Sequence, residues 1–96
     1  MASYEGVFIV DPDVSNETYK SVLALIQDLI TKNGGRIDGL QEWGKKRLAY
    51  RIKKKADGSY IIVNFELSGA GVKKAEQSLK LNDQIIRYMI INKAKA

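Results

Sequence analysis

Two kinds of apolar spacing alternate along this chain of 96 residues, and their order leaves few folds open. Tyr4-Glu5-Gly6-Val7-Phe8-Ile9-Val10 is rich in β-branched and aromatic residues and stops at Asp11-Pro12, which predicts a strand. Its apolar side chains fall on both faces, Phe8 and Val10 on one, Val7 and Ile9 on the other, as in an inner strand. Tyr19, Val22, Leu23, Ile26, Leu29 and Ile30 then recur at spacings of three and four. Preceded by Asp13-Val14-Ser15-Asn16-Glu17, with polar capping candidates and an acid for the first turn, they predict an amphipathic helix that ends at Asn33-Gly34-Gly35.

Arg36 to Trp43 and Leu48 to Lys53 read as strand, interrupted at Gly44 and Lys45-Lys46-Arg47, where a bulge or bend is expected. Lys54-Lys55-Ala56-Asp57-Gly58 is the expected turn, with Asp-Gly its strongest marker. From Tyr60 to Leu67 runs a further strand whose Ile61, Val63, Phe65 and Leu67 make one wholly apolar face. After Ser68-Gly69-Ala70-Gly71, the residues Val72, Ala75 and Leu79 predict a shorter helix, broken at Asn82-Asp83. Ile85 to Ile91 closes the chain as a strand, and residues 92–96 are expected to fray.

The order β-α-β-β-α-β predicts an α+β, ferredoxin-like domain spanning 1–96. Its four-stranded antiparallel sheet would carry both helices on one face, with the first and third strands central. The opposite face would present Val7, Ile9, Tyr60, Ile62, Met89 and Ile91. An apolar patch of that kind suits a protein partner.

Charge is concentrated in one place. Lys45, Lys46, Arg47, Arg51, Lys53, Lys54 and Lys55 fall within 45–55 with no acidic residue among them. The chain's net charge is +5, so the remainder sums to −2 and the whole surplus is local. Cations on a structured element, with Leu48, Tyr50 and Ile52 threaded through, make a surface for a polyanion, most commonly nucleic acid. Ala49, Arg51 and Lys53 would point one way along the strand, and Leu48, Tyr50 and Ile52 the other. Tyr50 and Trp43 each fit either stacking on a base or packing beside the core.

Catalysis is not expected. The chain has neither cysteine nor histidine, which removes thiolate sites and the commonest base and metal ligand. Glu5, Glu66, Asp57 and Asp83 are scattered, and Gly69 and Gly71 lack the pattern of a phosphate-cradling loop. No cofactor, metal or small-molecule substrate is therefore expected. No apolar run of about 18 residues exists to span a bilayer, so a soluble, cytoplasmic protein with no membrane partner is expected.

Tyr4-Glu5, Trp43-Gly44-Lys45-Lys46-Arg47-Leu48-Ala49-Tyr50 and Leu81-Asn82-Asp83-Gln84-Ile85-Ile86-Arg87-Tyr88-Met89-Ile90 together resemble the family of the sixth protein of the bacterial small ribosomal subunit. The resemblance covers nearly the whole chain. It implies a ferredoxin-like fold, no catalytic role, and a place in the small ribosomal subunit. It further implies binding to the central domain of 16S ribosomal RNA as a heterodimer with the eighteenth small-subunit protein. By the same resemblance, Lys45, Lys46 and Arg47 match the family's basic run, Tyr50 its tyrosine, and Arg87 its arginine on the last strand. Ala2 and Ser3 stand where many members carry basic residues, and Arg51 where relatives often have proline. Two other readings meet obstacles in the residues. A free-standing RNA-recognition module would need paired aromatics, but Tyr60 and Phe65 face opposite ways. A small phosphatase of the same fold would meet an acidic loop at Asp11-Pro12-Asp13, which repels phosphate.

Overall fold

A computed structural model describes residues 1–95, with strand β1, Ala2–Val10, lying inside its sheet. It is followed by helix α1 (Asn16–Lys32), β2 (Arg36–Ile52), β3 (Lys55–Leu67), helix α2 (Gly69–Lys80) and β4 (Ile85–Asn92). The strands order as β2-β3-β1-β4, every neighbouring pair antiparallel. This is the expected ferredoxin-like arrangement, with β1 and β3 central. Of the segment 92–96, Asn92 pairs with Tyr4, Lys93–Lys95 form a 3-10 turn, and Ala96 lies outside the described residues.

Strand alternation and helical periodicity meet in one core. Phe8 pairs with Ile61, and the side chains of Phe8, Val10, Ile61, Val63, Phe65 and Leu67 are buried on the helix-covered face. Val22, Ile26 and Ile30 of α1, with Val72 and Leu79 of α2, close over them. Each helix starts at a serine whose hydroxyl accepts from a backbone N–H three residues on: Ser15 from Thr18 at 3.2 Å, and Ser68 from Gly71 at 3.0 Å.

The basic hairpin departs from expectation. Its turn is Lys53-Lys54, both with positive φ (50° and 67°), joining Ile52 directly to its partner Lys55. Two left-handed residues match the twist of the flanking strands, as tight hairpins require. Asp57-Gly58, expected as the turn, lies instead inside β3, paired with Arg47 and Lys46. Gly58 serves close approach: a Cβ there would collide with Ile9 Cγ2.

β2 carries the expected irregularity as a bulge at Glu42–Gly44 and runs on through Lys45-Lys46-Arg47 as paired strand, with a second, larger bulge beyond. Between Arg47 and Ile52 it advances five positions, while β3 moves two, from Asp57 to Lys55, so three extra residues arch out of the ladder. Leu48 is buried against Ile9 and Ile86, with Ile52 and Tyr60 packed beside them. The arch therefore folds over the sheet face that the helices leave open.

Candidate nucleic-acid interface

β2 is an edge strand, and a one-residue bulge sets the aim of its basic half. Glu42 pairs with Ile61 and Gly44 with Tyr60, leaving Trp43 as the extra residue. Gly44 takes a φ of +77°, a conformation that side-chain-bearing residues adopt only with strain. Beyond the bulge, Lys45, Lys46 and Arg47 face Ser59, Gly58 and Asp57 across the ladder, and all three are exposed. Arg51, Lys53 and Lys54 are exposed on the arch and at the tip. None of these six cations forms an ion pair among the described residues. Like charges gathered on one hairpin, none of them in an ion pair, project a positive field into solvent.

Lys55 departs from this set. It is half-buried, and its ammonium donates to Asp13 Oδ2 at 2.7 Å and lies 3.3 Å from Asp11 Oδ1. The hydrogen bond from Lys55 holds the Asp13 carboxyl below its ordinary value, and the same bond raises the Lys55 ammonium. The acidic loop after β1 thus ties the hairpin down beside its turn, through Lys55.

Tyr50 and Arg87, far apart in sequence, meet across the sheet. Arg87 Nη1 donates to the Tyr50 hydroxyl at 2.7 Å, joining the arch of β2 to β4 at the opposite edge. Tyr50 is 65% exposed, so the core role open to it falls instead to Leu48 and Ile52. Trp43 is also outside the core, 53% exposed, with Nε1–H donating to Gln41 Oε1 at 3.0 Å.

The expected apolar patch is on one face, but part of it is roofed. Val7 pairs with Ile62 and Met89, Ile9 with Tyr60 and Arg87, and Glu5 with Ile91, which puts these side chains on the face away from the helices. Ile9 and Ile62 are buried, Val7 and Tyr60 half-buried, and only Met89 and Ile91 stand exposed. Alternation tells which face a residue occupies; it cannot tell that Leu48 will fold back over Ile9. Between arch and sheet lies a cleft of about 220 Å³, walled by Val7, Ile9, Leu48, Tyr60 and Met89 with Arg87 at its rim.

Among the described residues no group of His, Cys, Asp and Glu could hold a metal ion, and no helix is long and apolar enough to cross a membrane. The Gly69–Gly71 entry to α2 is capped by Ser68, with Gly71 packed on Leu67, so it offers no phosphate cradle. Phe65 is buried under the helices, on the opposite face from Tyr60, and no paired stacking aromatics arise there.

The family model described as ribosomal protein S6 matches residues 3–92. The chain belongs to the ribosomal protein S6 family. Small ribosomal subunit protein bS6 of Thermoanaerobacter pseudethanolicus is 41% identical over 91 residues, covering 95% of this chain and 96% of that one. The bS6 of Paenarthrobacter aurescens is 43% identical over 91 residues, covering 95% and 90%. The crystal structure of 30S ribosomal protein S6 from Thermotoga maritima superimposes with a TM-score of 0.92 at 26% identity, covering 98% of this chain and 89% of that chain. The C-terminal domain of the MgtC protein from Mycobacterium tuberculosis reaches a TM-score of 0.64 at 11% identity, a likeness of fold alone. As an S6-family member the chain is a structural protein of the small ribosomal subunit in the cytoplasm, not an enzyme.

Proposed function

We propose that this S6-family chain binds the central domain of 16S ribosomal RNA jointly with the eighteenth protein of the small subunit. Its basic hairpin meets the phosphates, and the open sheet face receives the protein partner. The observation that carries the reading is the set of exposed, unpaired cations Lys45, Lys46, Arg47, Arg51, Lys53 and Lys54 on one protrusion. Arg87 and Tyr50, linked to each other beside that set, extend it onto the sheet. Lys55 supports the interface from behind through Asp11 and Asp13. The exposed Met89 and Ile91, with half-buried Val7 and Tyr60 beside them, favour a protein on the sheet, since apolar surface gains most from burial against apolar surface. Ile9 and Ile62 act from beneath, as the floor of that face.

The test is a salt series of binding to a central-domain RNA fragment, with and without the eighteenth protein. Neutralising about five phosphates gives a log–log slope of roughly −4. Reversing Lys45, Lys46 and Arg47 to Glu should flatten that slope and weaken binding, while the melting curve stays normal because all three side chains are exposed. Unchanged RNA affinity in that folded variant overturns the hairpin's role. Equal RNA binding with and without the eighteenth protein overturns the joint mode.

A further inference from the structure

We infer that Trp43 is a stacking platform for one unpaired nucleobase of the bound RNA, with Lys46 as the cation for that nucleotide's phosphate. The inference rests on the RNA-binding reading and deepens it. Trp43 is the chain's one tryptophan, and it stands 53% exposed although the fold has an apolar core to receive it. Its position is built rather than incidental. The bulge at Glu42–Gly44, made possible by the positive φ of Gly44, takes Trp43 out of strand alternation at the sheet's edge. The bond from Nε1–H to Gln41 holds the indole and satisfies its only polar group.

Its surroundings fit a nucleotide. Lys46 Nζ lies 5.8 Å from the ring centroid, and Lys45 and Arg47 flank it, both exposed. An aromatic plane beside exposed cations is the pairing that single-stranded nucleic acid requires: the ring takes the base and the cations take the backbone. In the free protein Lys46 occupies the ring by a weak, solvent-exposed cation–π contact. An incoming base replaces it there, and the ammonium passes to the adjoining phosphate. Stacking accepts any base, so this site selects an unpaired nucleotide over a helical one and does not read its identity.

The experiment uses the full chain and the central-domain RNA fragment, with the eighteenth protein present and absent. Because Trp43 is the sole tryptophan, its emission reports the site directly once the partner's own signal is subtracted using Trp43→Leu. RNA should quench Trp43 emission in step with binding measured independently by filter retention. Trp43→Leu should bind RNA about tenfold more weakly with an unchanged salt slope, and Trp43→Phe should recover most of the loss. Salt-sensitive RNA binding with unchanged Trp43 emission, or full affinity in Trp43→Leu, overturns the stacking site while leaving the phosphate reading intact. A blue shift produced by the eighteenth protein alone, with no RNA quenching, makes Trp43 a protein contact and overturns it as well. Absence of RNA binding under every condition removes both readings together.

Discussion

At the scale of single residues, a few side chains carry constraints that their neighbours do not. Gly58 lies under Ile9 with no room for a methyl group, so Gly58→Ala must push Ile9 or the arch outward. Overpacking of this kind costs about 1–3 kcal/mol, which denaturant unfolding will read directly. Tyr19 is constrained electrostatically. Burial, and then its hydrogen bond to Glu42 Oε1 at 2.7 Å, pushes the phenol up from 10.0 to about 12. A raised folded-state value favours the protonated phenol, so its contribution to stability is complete below pH 10.0 and is lost as pH rises toward about 12. Late phenolate absorbance in an alkaline titration should fall in Tyr19→Phe, while Tyr88, also raised by burial and by Glu76, still ionises late. Neither constraint is visible locally: Tyr19 and Glu42 are 23 positions apart, and Gly58 looks like an ordinary turn glycine beside Asp57.

At the scale of elements, the strands and helices were legible and the hairpin was only partly so. α1 could be read because Val22, Ile26 and Ile30 recur on one face and Ser15 marks the start. β3 could be read because Ile61, Val63, Phe65 and Leu67 alternate strictly. The hairpin misled because Asp-Gly is a local signal, whereas the turn is fixed by where Ile52 finds Lys55. Two lysines accept positive φ there because the ladder and the Lys55 anchor on either side demand it. The cations were legible as a set, yet Lys55 was not separable from the rest without knowing that Asp11 and Asp13 lie beside it. The arch itself is fastened by Leu48 in its apolar seat and by Arg87 on Tyr50. These two fasteners differ in weight. Tyr50→Phe removes one exposed hydrogen bond and should cost about 0.5 kcal/mol, leaving the global melting curve nearly unchanged. Limited proteolysis within 48–51 should nonetheless quicken, because the arch can then lift without breaking the link to β4.

At the scale of the whole molecule, the two faces of the sheet divide the work. One is sealed by α1 and α2 and supplies stability; the other is half roofed by the β2 arch and half bare at Met89 and Ile91. Family membership fixes the small ribosomal subunit as the setting. The arch also bears on how such a chain tolerates change in length. The register of β2 on β3 is pinned at Arg47–Asp57 and again at Ile52–Lys55, and the residues between are free of the ladder. A residue inserted between Ala49 and Tyr50 should therefore leave the sheet and its core in register while pulling Tyr50 off Arg87. Such an insertion should unfold close to the parent's midpoint yet lose RNA affinity. Length variation at this one stretch of backbone would then retune the binding surface without renegotiating the fold.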